Sequence, residues 1–584
     1  MLVLIDELAE LGATSLRGTF GDEAGQRIGV ASSQVADLQT ASAMQLAKKL
    51  KRNPRELAEV FAAALFTHPA VARTEVAGPG FVNIHLHDAW LRDAVSQAAS
   101  LRQVGTGQTV VIDYSSPNVA KPMHIAHIRS TIIGDALKRV MRAVGYTVVA
   151  DNHLGDWGTQ FGKLIVAYRK WLDPQAFEEN PVSELLRLYV KFVELEKQQK
   201  AELGKKNQAD EGDDGAAADA PPILKEARGE LVKLQQGDPK NVALWKQFID
   251  VSMHEFDRVY RRLDVNFDVV LGESFYNDQL AGTVQTLLDK GIAEESEGAI
   301  VVRFDKATDG DALPPFLIRK ADGGFLYGST DVAGLLYRVG RWNASRIIIV
   351  TDERQQLHFK QLFATGRRLG VPASMEHVWF GLMRLAEGTI STRDGNLIGL
   401  ETLLDEAERR SLEVARQCNP DLTEEEAREV ARVVGIGAVK YNDLSKDRTT
   451  MVTFSWDKAL SLTGNTAPYL QYAYARIRSI LRKASDQGIS PGKVTNLEPT
   501  ERILVRKLLG FDEAVEEVSK ALRPHVLCEY LFELATVFST FYNELPVLKA
   551  ESDVRASRLH LCERTGEVLK HGLQLLGIGV VERM

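Results

Sequence analysis

The spacing of apolar positions divides the chain into three kinds of territory. Near the start they recur with helical period over 41–50 and 54–65, then alternate over 78–86 behind a Gly-Pro-Gly turn, which predicts two helices and a strand. From about 106 to about 399, β-rich runs interrupt helical stretches, with 110–112, 147–150, 299–304 and 347–351 as the strongest strand candidates. Strands separated by helices predict a mostly parallel sheet, with a ligand site beyond the carboxyl ends of its strands. Past residue 400 the period is almost wholly helical, over 403–415, 424–438, 467–484, 500–521, 526–542 and 557–576. Amphipathic helices in such succession predict a bundle.

Composition narrows the class. A chain of 584 residues that is 45% hydrophobic and 26% charged can bury several cores, so more than one domain is expected. Its three cysteines, Cys418, Cys528 and Cys562, are scattered, which argues against a disulfide framework and suits a reducing cytoplasm. No apolar run reaches membrane-spanning length, and Met1-Leu-Val-Leu-Ile-Asp-Glu lacks the basic start of a secretory signal. The net charge of −8 does not suggest a polyanionic partner, but only local charge governs that attraction. Part of the deficit lies in the low-complexity stretch 210–222, which reads as a mobile surface loop.

The most informative chemistry lies between 110 and 160. A β-rich run leads into Asp113-Tyr-Ser-Ser-Pro-Asn118 and then Lys121-Pro-Met-His124-Ile-Ala-His127-Ile-Arg-Ser-Thr, after which Ile132, Ile133, Ala136, Leu137, Val140 and Met141 recur with helical spacing. Basic and polar groups therefore gather at a helix N-terminus, whose unpaired N–H groups and partial positive charge suit the phosphates of a nucleotide. The residues point to ATP binding followed by attack at a phosphate. His-x-x-His by itself also serves zinc or a satisfied polar pair, but no cysteine, Asp or Glu partner stands at compact spacing.

Together with Asn152-His-Leu-Gly-Asp-Trp-Gly-Thr-Gln-Phe161, this stretch resembles the catalytic core of the class I aminoacyl-tRNA synthetases, and specifically the arginyl-tRNA synthetases. Further segments continue the resemblance in order: Gly272-Glu-Ser-Phe-Tyr276, Tyr327-Gly-Ser-Thr-Asp331, Arg354-Gln-Gln-Leu-His-Phe-Lys360, Ala438-Val-Lys-Tyr-Asn-Asp-Leu-Ser445 and the stretch from Gly464 to Arg478. Several long motifs in order are far more specific than one short one.

The resemblance implies a Rossmann-like, doubly wound α/β catalytic domain at 106–400, preceded by an α+β domain at 1–105 and followed by a helical connection at 401–464 and an all-α anticodon-binding bundle at 465–584. It implies catalytic roles for Lys121, His124 and His127. ATP contacts are implied for His124, Ala126, His127 and the signature loop Ser391, Thr392 and Arg393. Arginine contacts are implied for Asp113, Asn118, Glu273, Tyr327, Asp331 and Gln355. Two positions depart from the pattern. Ala126 stands where the family carries glycine, and 389–396 lacks the signature lysine, a loss for which Lys121 compensates in arginyl enzymes.

A guanidinium is always charged, planar and rich in donors, so its pocket must present carboxylates and an aromatic or apolar wall. If 327–331 is helical, Tyr327 and Asp331 share a face. Taken one at a time, these acids read equally well as surface ion pairs, and the basic cluster Lys48, Lys49, Lys51, Arg52 and Arg55 reads as a solvated helix face. The resemblance assigns that cluster's domain to the outer corner of tRNA. The implied partners are tRNA(Arg), L-arginine and ATP with Mg²⁺, for a cytoplasmic monomer with no membrane or DNA partner. A class I synthetase for another amino acid, a small-molecule adenylyltransferase and a noncatalytic tRNA-binding paralogue stay open as alternatives.

Overall fold

The computed structural model describes residues 1–22, 28–33, 35–97, 100–203, 220–310, 312–321, 323–386 and 399–584. The signature-loop residues Ser391, Thr392 and Arg393 and most of the acidic stretch 210–222 lie outside them. The end of that stretch is structured: Ala220 and Pro221 are buried, and Pro222 opens the helix Pro222–Gln235, where its fixed φ suits the first turn. Among the described residues, no helix is long and apolar enough to cross a membrane.

The first unit is an antiparallel sheet, in the order Ala31–Ser32, Leu38–Thr40, Phe81–Leu86, Val71–Ala77, covered by helices Leu2–Phe20, Ser42–Leu50 and Pro54–Phe66. Both helices expected here are present. In the third, Leu57, Phe61 and Leu65 are fully buried, and Asn53 caps its start by accepting from the Arg55 N–H.

The central sheet is parallel and five-stranded, in the order Ser374–His377, Arg346–Ile349, Thr109–Asp113, Thr147–Asn152, Val269–Val270. Val110, Val111, Ile112, Ile347 and Ile348 are fully buried, as a sheet covered on both faces requires. The chain runs outward from Thr109–Asp113 on one side and returns to its other side at Arg346–Ile349. That reversal opens a crevice at the carboxyl ends of these two strands, where Asp113 and Ile349 stand in register.

One expected strand is elsewhere. Ala299–Val302 pairs antiparallel with Glu294–Ser296 and Phe316–Arg319 in a separate small sheet. Glu297 and Gly298 both take positive φ, 52° and 82°, and turn the chain straight back as a two-residue hairpin. A parallel partner would have needed a long crossover.

Helices Leu400–Cys418 and Glu424–Leu444 connect this domain to a bundle of Ala467–Asp486, Pro499–Leu509, Phe511–Ala521, His525–Glu544 and Ser552–Leu575. The helix expected over 500–521 is two, broken at Gly510, which ends one and begins the other. The first unit docks on this bundle through ions: Arg502 reaches Asp37 at 2.6 Å and Asp88 at 2.8 Å, and Arg102 reaches Glu516 at 2.6 Å.

Candidate active site

Past Asp113 the chain makes a turn in which Ser115 and Ser116 take positive φ, 72° and 48°. Left-handed backbone costs about 1–2 kcal/mol per L-residue, so it needs support. Side chains supply it: the Ser115 N–H donates to Ser130 Oγ at 2.9 Å, the Ser116 N–H to Asn152 Oδ1 at 3.0 Å, and Ser116 Oγ to Asp113 Oδ1 at 2.8 Å. The turn delivers Asn118, which is exposed and bridges to Gly155, and then Lys121. A side chain at Gly155 would collide with Asn118 Oδ1, at 2.1 Å from the added carbon.

His124 is the cap of the helix Ile125–Ala143. Its Nδ1 accepts from the Ala126 N–H at 3.3 Å, while the His124 N–H donates to His127 Nδ1 at 3.0 Å. Both Nδ1 atoms are acceptors, so both rings carry their proton on Nε2. Burial and the neighbouring cations hold them in that neutral state: His127 is lowered to about 4, by burial and then His124, and His124 is lowered by burial, Lys121 and Arg354. Among the described residues neither Nε2–H has a partner, leaving two donors beside the helix start. Lys121 rests its ammonium 4.8 Å from the Tyr189 ring centre, its pKa lowered by burial and by Lys163. Ala126 is half-buried in the first helical turn.

The opposite wall is acidic. Tyr327 opens the helix Tyr327–Trp342 and Asp331 follows one turn later, so the two share a face as expected. Asp331 Oδ2 lies 2.5 Å from His358 Nε2, and the Tyr327 ring lies 4.8 Å from the His358 ring. Glu273 is raised to about 7, first by burial and then by the charges of Asp331 and Asp156, against an opposing pull from His153. Gln355 is exposed at the end of the short turn Glu353–Gln355.

Asp113 alone of the residues implied for arginine is buried. It is 6% exposed, with Oδ2 accepting from Arg338 at 2.5 Å and Oδ1 from Ser116. Each oxygen already accepts one hydrogen bond and keeps a second lone pair. Arg338 also donates to Asp151 Oδ2 at 2.8 Å, so this buried cation ties the helix bearing Tyr327 and Asp331 to two strand ends.

The fold that carries these groups is matched by known proteins. Residues 91–456 match the family described as tRNA synthetases class I (R), catalytic domain. Residues 470–584 match the DALR anticodon binding domain, and 6–86 the arginyl tRNA synthetase N terminal domain. The chain belongs to the arginyl-tRNA synthetases. An arginine–tRNA ligase of Fusobacterium nucleatum is 44% identical, covering 94% of this chain and 93% of its own. That of Cellvibrio japonicus is 43% identical, covering 94% of each. Among solved structures, the arginyl-tRNA synthetase of Plasmodium falciparum superposes with a TM-score of 0.82 at 26% identity, covering 99% of both chains. The Thermus thermophilus enzyme gives 0.82 at 25%, over 99% of this chain and all of its own.

Within this synthetase Asn118, Lys121, His124 and His127 follow one another after the Thr109–Asp113 strand, while Tyr327, Asp331 and His358 cluster and Glu273 feels the charge of Asp331. Arg338 and His358 are absent from the residues singled out in the sequence. Arg338 follows Asp331 by seven positions, on the same helical face, which is a visible signal. His358 stands inside one of the motifs that carry the resemblance but touches Asp331 only through the fold.

Proposed function

We propose that this arginine–tRNA ligase activates L-arginine at the described crevice, with ATP toward the helix cap and the guanidinium toward the acidic wall. The arginine carboxylate attacks the α-phosphorus, the bond to pyrophosphate breaks, and arginyl-adenylate forms. A hydroxyl of the terminal adenosine of tRNA(Arg) then attacks the arginyl carbonyl, loses its proton, and AMP leaves. Neither step needs a covalent protein intermediate, so rate must come from alignment and from stabilised phosphate charge.

The observation that carries this reading is the division of charge across the crevice. The Nε2–H donors of His124 and His127, with Lys121, can meet phosphate oxygens without being anions or strong bases. Asn118 is proposed for the amino-acid head group, Asp331 and Glu273 for the guanidinium, Tyr327 as its wall and Gln355 at the rim. Among the described residues no three His, Cys, Asp or Glu side chains converge as metal ligands. A Mg²⁺ ion accompanying ATP would neutralise the charge of its phosphates. The exposed basic cluster of Lys48, Lys49, Lys51, Arg52 and Arg55 is proposed for tRNA phosphate, as is the bundle surface for the anticodon. The reaction is proposed to run in the cytoplasm, on a single chain, with tRNA bound during activation.

The test is ATP-dependent attachment of labelled amino acids to total tRNA, with arginine, lysine and cysteine compared. Charging by arginine alone is expected. Charging by another amino acid would overturn the pocket, and tRNA binding without charging would overturn the chemistry.

A further inference from the structure

We propose that His358 is a positioning residue that sets which oxygen of Asp331 meets the substrate, and thereby favours a planar guanidinium over a compact ammonium. The proposal rests on Asp331 being an arginine contact. His358 lies in the first turn of the helix Gln356–Leu369, on a different element from Asp331. Its side chain is 15% exposed and meets the rings of Tyr327, Phe359 and Phe316 at 4.8, 5.1 and 5.4 Å between centres. Three aromatic neighbours fix the plane of the imidazole, and that plane aims Nε2 at Asp331 Oδ2, 2.5 Å away.

The consequence is geometric. An unanchored carboxylate turns freely, so a guanidinium that needs it in one orientation binds less well, while an ammonium is accepted from many directions. With Oδ2 engaged by His358, the plane of the Asp331 carboxylate is held, and among the described residues Oδ1 has no other partner. The guanidinium then spreads its donors over two separate acceptors, one N–H to Asp331 Oδ1 and another to Glu273, which feels the charge of Asp331. A planar group with several donors spans two such points. An ammonium carries its donors on one atom and satisfies one point at a time. His358 also sits against Tyr327, so the ring that walls the pocket and the carboxylate that anchors it share one support.

Two substitutions separate the support from the bond. His358→Phe keeps a ring among Tyr327, Phe316 and Phe359 but removes the donor, and His358→Gln keeps a donor near the Nε2 position but removes the ring. With tRNA and ATP saturating, His358→Phe is expected to raise the arginine KM about tenfold, leaving the ATP KM and kcat within about twofold. The inhibition constant of L-lysine against arginine should stay unchanged, so the preference for arginine narrows by the same factor. His358→Gln should recover the arginine KM to within about threefold of the parent. In the Asp331→Asn background, His358→Phe should add nothing further, because the bond it removes no longer has its charged partner.

An unchanged arginine KM in His358→Phe would overturn the proposal. So would a matching rise in the ATP KM, which marks general disruption, or a failure of His358→Gln to recover the arginine KM. If Asp331→Asn alone leaves the arginine KM unchanged, the pocket reading fails, whatever His358 does.

Discussion

The two ends of the crevice are built by different means. The donor-rich end comes from one continuous segment, where the Ser115–Ser116 turn, Asn118, Lys121 and the His124–His127 cap succeed one another. The acidic end is collected from three elements: Glu273 on the Glu273–Gln279 turn, Tyr327 and Asp331 on one helix, His358 on the next. The first lies on one stretch of backbone, though its supports reach Asn152 and Ser252 as well as the nearby Ser130. In the second, Arg338 ties the helix of Tyr327 and Asp331 to the ends of two strands. The lesson is that one end of a site can be carried by one stretch of chain while the other is assembled from several, with one buried cation among its ties.

The strongest way to break that contrast is Arg338→Met. Arg338 is 4% exposed, and removing it strands the carboxylates of Asp113 and Asp151 in the interior, a loss of about 3–5 kcal/mol. Thermal unfolding of the catalytic domain should fall accordingly. A midpoint close to the parent's would show that the acidic end has other supports.

Lys121→Ala sharpens the contrast from the other side. Adenylate formation in a single turnover should slow roughly a hundredfold, with arginine binding little changed. A loss found entirely in the arginine KM would merge the two ends into one.

The acidic end should also be distinguished by pH. Glu273 is raised from an ordinary 4.5 to about 7, so the free enzyme holds a proton there that the unfolded chain would release. Its contribution to stability therefore declines as pH rises from about 4.5 to about 7, and a bound guanidinium, which prefers the carboxylate, drives the proton off. The arginine KM should rise as pH falls below about 7, by no more than roughly tenfold per unit, and level off above it. Glu273→Gln should raise the KM and flatten the profile. A profile with the same slope in the variant would assign the titration elsewhere.

The smallest effect belongs to Ala126→Gly, in the first turn of the His124-capped helix. The glycine opens space beside the nucleotide but loosens the turn, by about 0.5–1 kcal/mol at most, so the ATP KM should shift less than about threefold. A larger shift would mean that the methyl group matters to ATP.

The same contrast explains what could be read from the sequence. The parallel sheet, the helical connection and bundle, and the donor-rich end all rest on local signals: burial on both faces, helical period, and a cap at Pro-Met-His124. Where distant residues decide, the reading ran short. The bond to Asp113 from Arg338, 225 positions away, leaves no local signal. The run that includes Ala299–Val302 has strand character, yet the Glu297–Gly298 turn places it in a separate sheet. The break at Gly510 is local but interrupts a pattern that stays amphipathic on both sides. His358 needed the fold to bring it to Asp331.

The most direct test of the divided crevice is the pair of KM values, for arginine and for ATP, in Asp331→Asn with tRNA present. A charge-assisted hydrogen bond in a partly buried site is worth about 1.5–3 kcal/mol, so the arginine KM should rise about tenfold or more while the ATP KM holds. Equal rises in both, or none in either, would contradict an acidic wall dedicated to the guanidinium.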